Sequence, residues 1–140
     1  MFWGVLLFCF DVNCITAKEH ILERITITYV NFNVLTGEDV DCDGFTGQFQ
    51  KTGLLKILHV NNKKYVDEFE NAARKFIQAS KKHLDIRLKV IYIYSDETIC
   101  YCMDKFGNFI CEGRSGIRKN MVLYELLFHY IPVENKYILN

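Results

Sequence analysis

From Ile25 to Val34 the chain reads ITITYVNFNV, alternating with period two and rich in β-branched and aromatic residues. That pattern predicts a strand with one face toward a core. The next stretch, LTGEDVDCDGFTG (35–47), carries three glycines and four acids and predicts a turn or loop. LLKILHV (54–60) predicts a second strand, closed by a turn at Asn61–Lys64, and RLKVIYIYS (87–95) is the clearest strand of the chain. Beyond it, CYCM, the turn DKFG and NFIC predict a hairpin, followed by the apolar run MVLYELLFHYI (121–131).

One segment departs from this β pattern. YVDEFENAARKFIQASKKHL places Tyr65, Phe69, Ala72, Ala73, Phe76 and Ile77 at spacings of three and four among strong helix formers. Taken locally, it predicts an amphipathic helix.

Three cysteines flank the hairpin turn. Cys100 and Cys102 lie too close together, with Cys111 too isolated, for the paired spacing of a structural zinc site, and no Cys-x-x-Cys redox motif is present. With Lys105 and Phe106 as turn centre, Cys100 falls opposite Cys111, at a separation that a narrow strand pair can bridge. A Cys100–Cys111 disulfide is one reading, and three small buried hydrophobes are the other.

Composition narrows the class. The 140 residues suffice for one domain, and half of them are apolar. Lys plus Arg and Asp plus Glu number 17 each, so the whole chain exerts no net pull on nucleic acid or on a membrane surface. The apolar run Phe2–Phe10 is too short to span a bilayer and precedes Thr16, Ala17 and the polar Lys18. We read residues 1–17 as a secretory signal and the product as secreted, with no membrane insertion. Cys9 and Cys14 would leave with the signal. Cys42, Cys100, Cys102 and Cys111 then remain for an oxidising compartment.

Catalytic patterns are sparse. His20, His59, His83 and His129 are scattered, and GRSG lacks the Lys-Ser/Thr of a phosphate-cradling loop. EDVDCDG resembles a calcium loop, but the position where its closing Glu belongs is Gln50 or Thr52. The sequence therefore predicts no enzyme, no metal and no cofactor.

The block ICYCMDKFGNF, followed by GRSGIRKN and MVLYELLFHY, resembles the middle of a fibroblast growth factor. Cys102, Met103, Gly107, Gly116, Leu123 and Glu125 sit at matching places, and the likeness is closest to the subfamily with a Tyr-Ile-Cys-Met strand. Upstream, TGLLKILHVNNKK and RKFIQASKKHLDIRLKV resemble the family's earlier strands, so the likeness runs from about Thr46 to Tyr137. Two departures stand out. Met121 replaces the family's second cysteine, which leaves Cys111, with Cys100 or Cys102, as the compensating candidate. Tyr130-Ile131-Pro132 replaces its receptor-contacting Asn-Asn-Tyr.

The resemblance implies an all-β fold, a β-trefoil incomplete at its C-terminus and covering roughly two of three barrel units. The domain reading is a signal at 1–17, an extension with one strand at 18–45 and a partial trefoil at 46–140. The resemblance also makes residues 65–80 a strand, a turn and a strand, and we take β there over the helical pattern. It implies a secreted ligand that activates a receptor tyrosine kinase of the fibroblast growth factor receptor type, with Glu125 as the contact carried over and Tyr124 and Tyr130 as flanking anchors. Heparan sulfate is the second implied partner, for which Arg114, Arg118 and Lys119, with Lys63 and Lys64, form the basic candidates. The alternative reading is a secreted, disulfide-containing binding or decoy protein of α+β fold that activates no receptor.

Overall fold

A computed structural model describes residues 18–136. The strands are β1 (Leu22–Tyr29), β2 (Lys56–Val60), β3 (Ile77–Gln78), β4 (Ile86–Tyr94), β5 (Thr98–Asp104), β6 (Asn108–Cys111) and β7 (Ile117–Lys119). The helices are α1 (Phe45–Gln50), α2 (Lys63–Ala72) and α3 (Met121–Tyr130). All strands join one antiparallel sheet in the order β2-β1-β4-β5-β6-β7-β3. The expectation of a β-rich chain holds. The barrel of repeated units does not form among the described residues, because the ladder is open and ends on the unpaired outer sides of β2 and β3. β1, read as part of an extension, lies inside the sheet between β2 and β4.

The pleat of β1 and β4 sorts the two sides of the sheet. Ile25, Ile27 and Tyr29 from β1, with Leu88, Val90 and Tyr92 from β4, point to one face and are buried there. α2 and α3 cover that face. Val66, Phe69 and Ala72 form the buried stripe of α2, at the spacing that puts them on one side of a helix. The helical pattern therefore prevails up to Ala72, while Ile77–Gln78 forms a strand, as the resemblance implies for the second half of this segment. The start of α2 is capped by Asn62, whose side chain accepts from the Lys64 amide at 3.1 Å.

The all-β fold implied by the resemblance would make MVLYELLFHYI a strand, and it forms α3 instead. A run that is apolar on nearly every side fits a strand or a buried helix equally well by periodicity. Here Asn120 decides the outcome. Its side-chain oxygen accepts from the Leu123 amide at 2.9 Å, while its Nδ2 donates to the Ala72 carbonyl at 2.8 Å. One buried residue thus starts α3 and ties it to the end of α2. Leu123 and Leu127, one turn apart, then face the core.

The opposite face is partly covered by the segment between β1 and β2. Val40, Phe45 and Phe49 pack with Val30, Ile86 and Cys102 into a second, smaller core. A disulfide joins Cys42 in that segment to Cys102 in β5, with Cα atoms 5.6 Å apart. The buried Arg87 guanidinium adds a polar clamp. It donates to Asp85 at 2.6 Å, to the Val34 carbonyl at 3.1 Å and to Thr36 at 3.3 Å.

The expected Cys100–Cys111 bridge is replaced by this Cys42–Cys102 bond, and Cys100 and Cys111 are free thiols. The cause is one residue of register. The hairpin turn holds Lys105, Phe106 and Gly107, with Gly107 at φ +83°, a conformation that costs glycine nothing. Asp104 fixes this turn by accepting from the Phe106 and Asn108 amides at 2.8 and 3.0 Å. Tyr101 therefore lies opposite Cys111, with Cys102 opposite Ile110. Cys100 then packs toward the second core while Cys111 faces the helix side, so the two thiols occupy opposite faces of the sheet.

Candidate functional site: an arginine cleft

On the helix side, where α2 ends beside the β6–β7 end of the sheet, lies a cleft of about 290 Å³. Its polar rim is Arg74, Arg114, Ser115 and Arg118, and its floor is Phe76, Tyr101, Phe109 and Cys111. The elements explain this convergence. Arg74 follows directly on the last turn of α2, where a cation also complements the partial negative charge of the helix end. Arg118 lies on β7, paired with Phe109 on one side and with Gln78 on the other.

Arg114 and Ser115 sit in the loop joining β6 to β7. That loop reverses through Gly113 and Gly116, at φ +79° and +98°. Those values fall in the region that L side chains rarely adopt, so GRSG is a backbone device that sets an arginine and a serine on the rim.

The floor is an aromatic layer. The Phe76 and Tyr101 rings stack with centroids 4.9 Å apart, and Phe109 meets Phe76 edge to face at 5.4 Å. No acidic side chain lines the cleft, and none of the three arginines makes an ion pair among the described residues. Burial raises the Cys111 thiol above its usual range, the charges of Arg114 and Arg118 pull the other way, and the adjacent Glu112 carboxylate adds a smaller push upward. Tyr101 is raised by burial too, again opposed by the same two arginines. Both guanidinium charges therefore reach the groups on the floor. Such a place favours an anion and does not favour a cation.

The residues singled out in the sequence separate into three places. Arg114 and Arg118 meet in the cleft, as their closeness in the chain suggests. Lys119, next along β7, points to the other face by strand alternation and does not line the cleft. Lys63 and Lys64 begin α2, about 15 Å along the helix axis from its Arg74 end, and Lys63 is engaged with Asp67 at 3.3 Å.

The proposed receptor contacts lie on α3. Glu125 is exposed, in a shallow groove with Val122, Leu126 and His129. Tyr124 is held in place by donating its hydroxyl to the Lys105 carbonyl at 2.9 Å. Tyr130 packs on Phe69 and Tyr65. These two tyrosines are half-buried parts of the helix packing.

Arg74 was missed in the sequence because it belongs to a different element from GRSGIRK and meets it only through the fold. The helical stripe gave no signal for Arg74, because that stripe continues to Ile77 and puts Arg74 within the helix, whereas α2 ends at Ala72. Cys42 was missed as a bridging residue for a similar reason, since its partner lies 60 residues away.

Neither thiol is poised as a nucleophile. Burial, helped by a hydrogen bond with Glu112, pushes Cys100 up to about 12. Among the described residues no group of His, Cys, Asp and Glu is arranged to hold a metal ion. No helix among them is long and apolar enough to cross a membrane. The expected signal segment, with Cys9 and Cys14, lies outside the described residues. No protein-family model, curated protein or solved structure matches this chain.

Proposed function

We propose that this chain is a disulfide-stapled α+β binding protein of an oxidising, extracellular setting, which recognises an oxyanion presented by a partner and carries out no bond-making chemistry. The observation that carries this reading is the convergence of Arg74, Arg114 and Arg118 on one concave site without a carboxylate among its lining residues. Guanidinium groups are suited to sulfate and phosphate oxygens because their planar forks donate two parallel hydrogen bonds. The Cys42–Cys102 bond supports the oxidising setting. The raised thiols and the separated histidines support a binding role over a catalytic one.

Immobilised heparin, used as a polysulfate surface, tests the reading. The chain is expected to elute well above physiological ionic strength, about 0.15 M. The triple variant R74A/R114A/R118A is expected to elute at or below that value, and K63A/K64A to stay close to the parent. Release of the parent chain at physiological salt, together with no saturable response to sulfate, would end the oxyanion reading.

A second reading, a ligand for a receptor tyrosine kinase of the fibroblast growth factor receptor type, is favoured by one observation. Glu125 is exposed beside the apolar Val122, as a contact residue with an apolar rim would be. The β-trefoil belonging to that family would have to be assembled from a sheet that is open here. Cells given the purified chain are expected to show receptor phosphorylation under this reading, and loss of it with Glu125→Ala. A silent receptor leaves the binding-protein reading alone.

A further inference from the structure

We infer that the arginine cleft takes an aromatic ring bearing a single sulfate or phosphate ester, carried on an extended peptide that continues along the edge strand β3. The inference rests on the oxyanion reading above and narrows it to a ligand class. Three features of the cleft lead to it.

The first is size and shape. A volume of about 290 Å³ is at the small end of ligand pockets and fits one compact group. A sulfated glycan chain is served by an open stripe of basic side chains. Lys119, Lys63 and Lys64 form no such stripe with the cleft.

The second is the floor. The half-buried Phe76 and Tyr101, with Phe109 buried behind them, give the ester's carrier an aromatic wall against which a ring packs edge-on or offset while the rim guanidiniums hold the oxygens. Ser115 adds a hydroxyl donor on the same rim.

The third is continuity. The cleft shares Phe76, Ser115, Gly116 and Arg118 with an adjoining groove of about 440 Å³ that runs past Ile77, Gln78 and Ala79. β3 there is an edge strand of two residues, paired on one side with β7, and Gln78, opposite Arg118, is exposed on the face of the sheet that carries the cleft. An extended peptide can pair with such an edge through its backbone while one modified side chain enters the pocket. Arg clusters that read a modified residue beside a strand edge combine two recurring modes of peptide recognition.

The test uses short fluorescent peptides of one sequence, with tyrosine, sulfotyrosine or phosphotyrosine at the centre, read by anisotropy against the oxidised chain. At least one ester peptide is expected to bind about tenfold or more tightly than the plain peptide. The tighter ester names the source of the oxyanion. Arg118→Gln, with folding verified by circular dichroism, is expected to erase the preference. Gln78→Pro, which removes a backbone donor from the free edge of β3, is expected to weaken peptide binding several-fold while heparin retention stays unchanged.

Equal affinity of all three peptides overturns the inference, as does an ester preference untouched by Arg118→Gln. Arginine-dependent heparin retention without any ester preference also overturns it and leaves the oxyanion reading in place. Failure of heparin and peptides alike removes both.

Discussion

Replacing both members of the bridge, Cys42→Ala with Cys102→Ala, is expected to lower the unfolding free energy by about 4 kcal/mol. The bond closes a loop of 60 residues, and chain entropy for a loop of that length amounts to about that value in the unfolded ensemble. The loss does not stop at entropy. Cys102 is fully buried, and the segment it holds carries Val40, Phe45 and Phe49 onto the second face of the sheet. Without the bond, the polar hold left on that segment includes Arg87 donating to Val34 and Thr36, the Val40 amide donating to Asp85 and the Val40 carbonyl accepting from the Ile86 amide. Urea unfolding followed by circular dichroism gives the number, and mass analysis with and without reduction shows which cysteines pair. A change below about 1 kcal/mol would mean that the segment and its small core add little to the folded state.

Phe69→Ala should cost as much by a different route. Phe69 is fully buried where α2, α3 and the sheet meet, with the Tyr130 ring at 5.4 Å and the Tyr92 ring at 6.4 Å. Truncating a buried phenylalanine costs about 3–5 kcal/mol, because the transfer free energy is lost and a cavity stays behind. The Tyr92 hydroxyl donates to the Phe69 carbonyl at 2.8 Å, so relaxation into the cavity would strain that bond and the site collapses poorly. Small domains have only about 5–15 kcal/mol to lose, so the variant sits near the edge of folding. Phe69→Leu keeps most of the volume and is expected to lose under about 1.5 kcal/mol. Thermal or urea unfolding of the pair checks both. Equal and small losses would place Phe69 outside the core that docks α2.

The strands with strict alternation were legible in the chain. LLKILHV contains β2, and RLKVIYIYS and ITITYVNFNV overlap β4 and β1, although β1 begins at Leu22 and stops at Tyr29, because a half-buried strand writes its period directly into the residue types. α2 was legible as well. The spacing of Phe69 and Ala72 marks its buried side, with Val66 in place of the exposed Tyr65, while Phe76 and Ile77, which continue the same pattern, lie beyond the helix. α3 was harder, since LLFHYI is apolar at consecutive positions and its decisive cap, Asn120, acts through a contact to Ala72 that no local pattern contains. The register of the hairpin turned on Gly107 taking a left-handed conformation, which moved Cys111 from Cys100 to Tyr101.

The site divides in the same way. Arg114 and Arg118 are close in sequence and were found. Arg74, Phe76 and Tyr101 come from α2's end, the turn after it and β5, and no linear spacing joins them to GRSGIRK. Lys119 was taken with Arg118 as one cluster, and strand alternation sends them to different faces.

A titration of the isotope-labelled chain with sodium sulfate, followed by the backbone amide and arginine side-chain resonances, tests the arginine cleft most directly. The account predicts saturable shifts at Arg74, Arg114, Ser115, Gly116 and Arg118, with Lys63, Lys64 and the α3 surface around Glu125 unmoved. Shifts spread evenly over the exposed lysines, or no saturable change at those five residues, would contradict it.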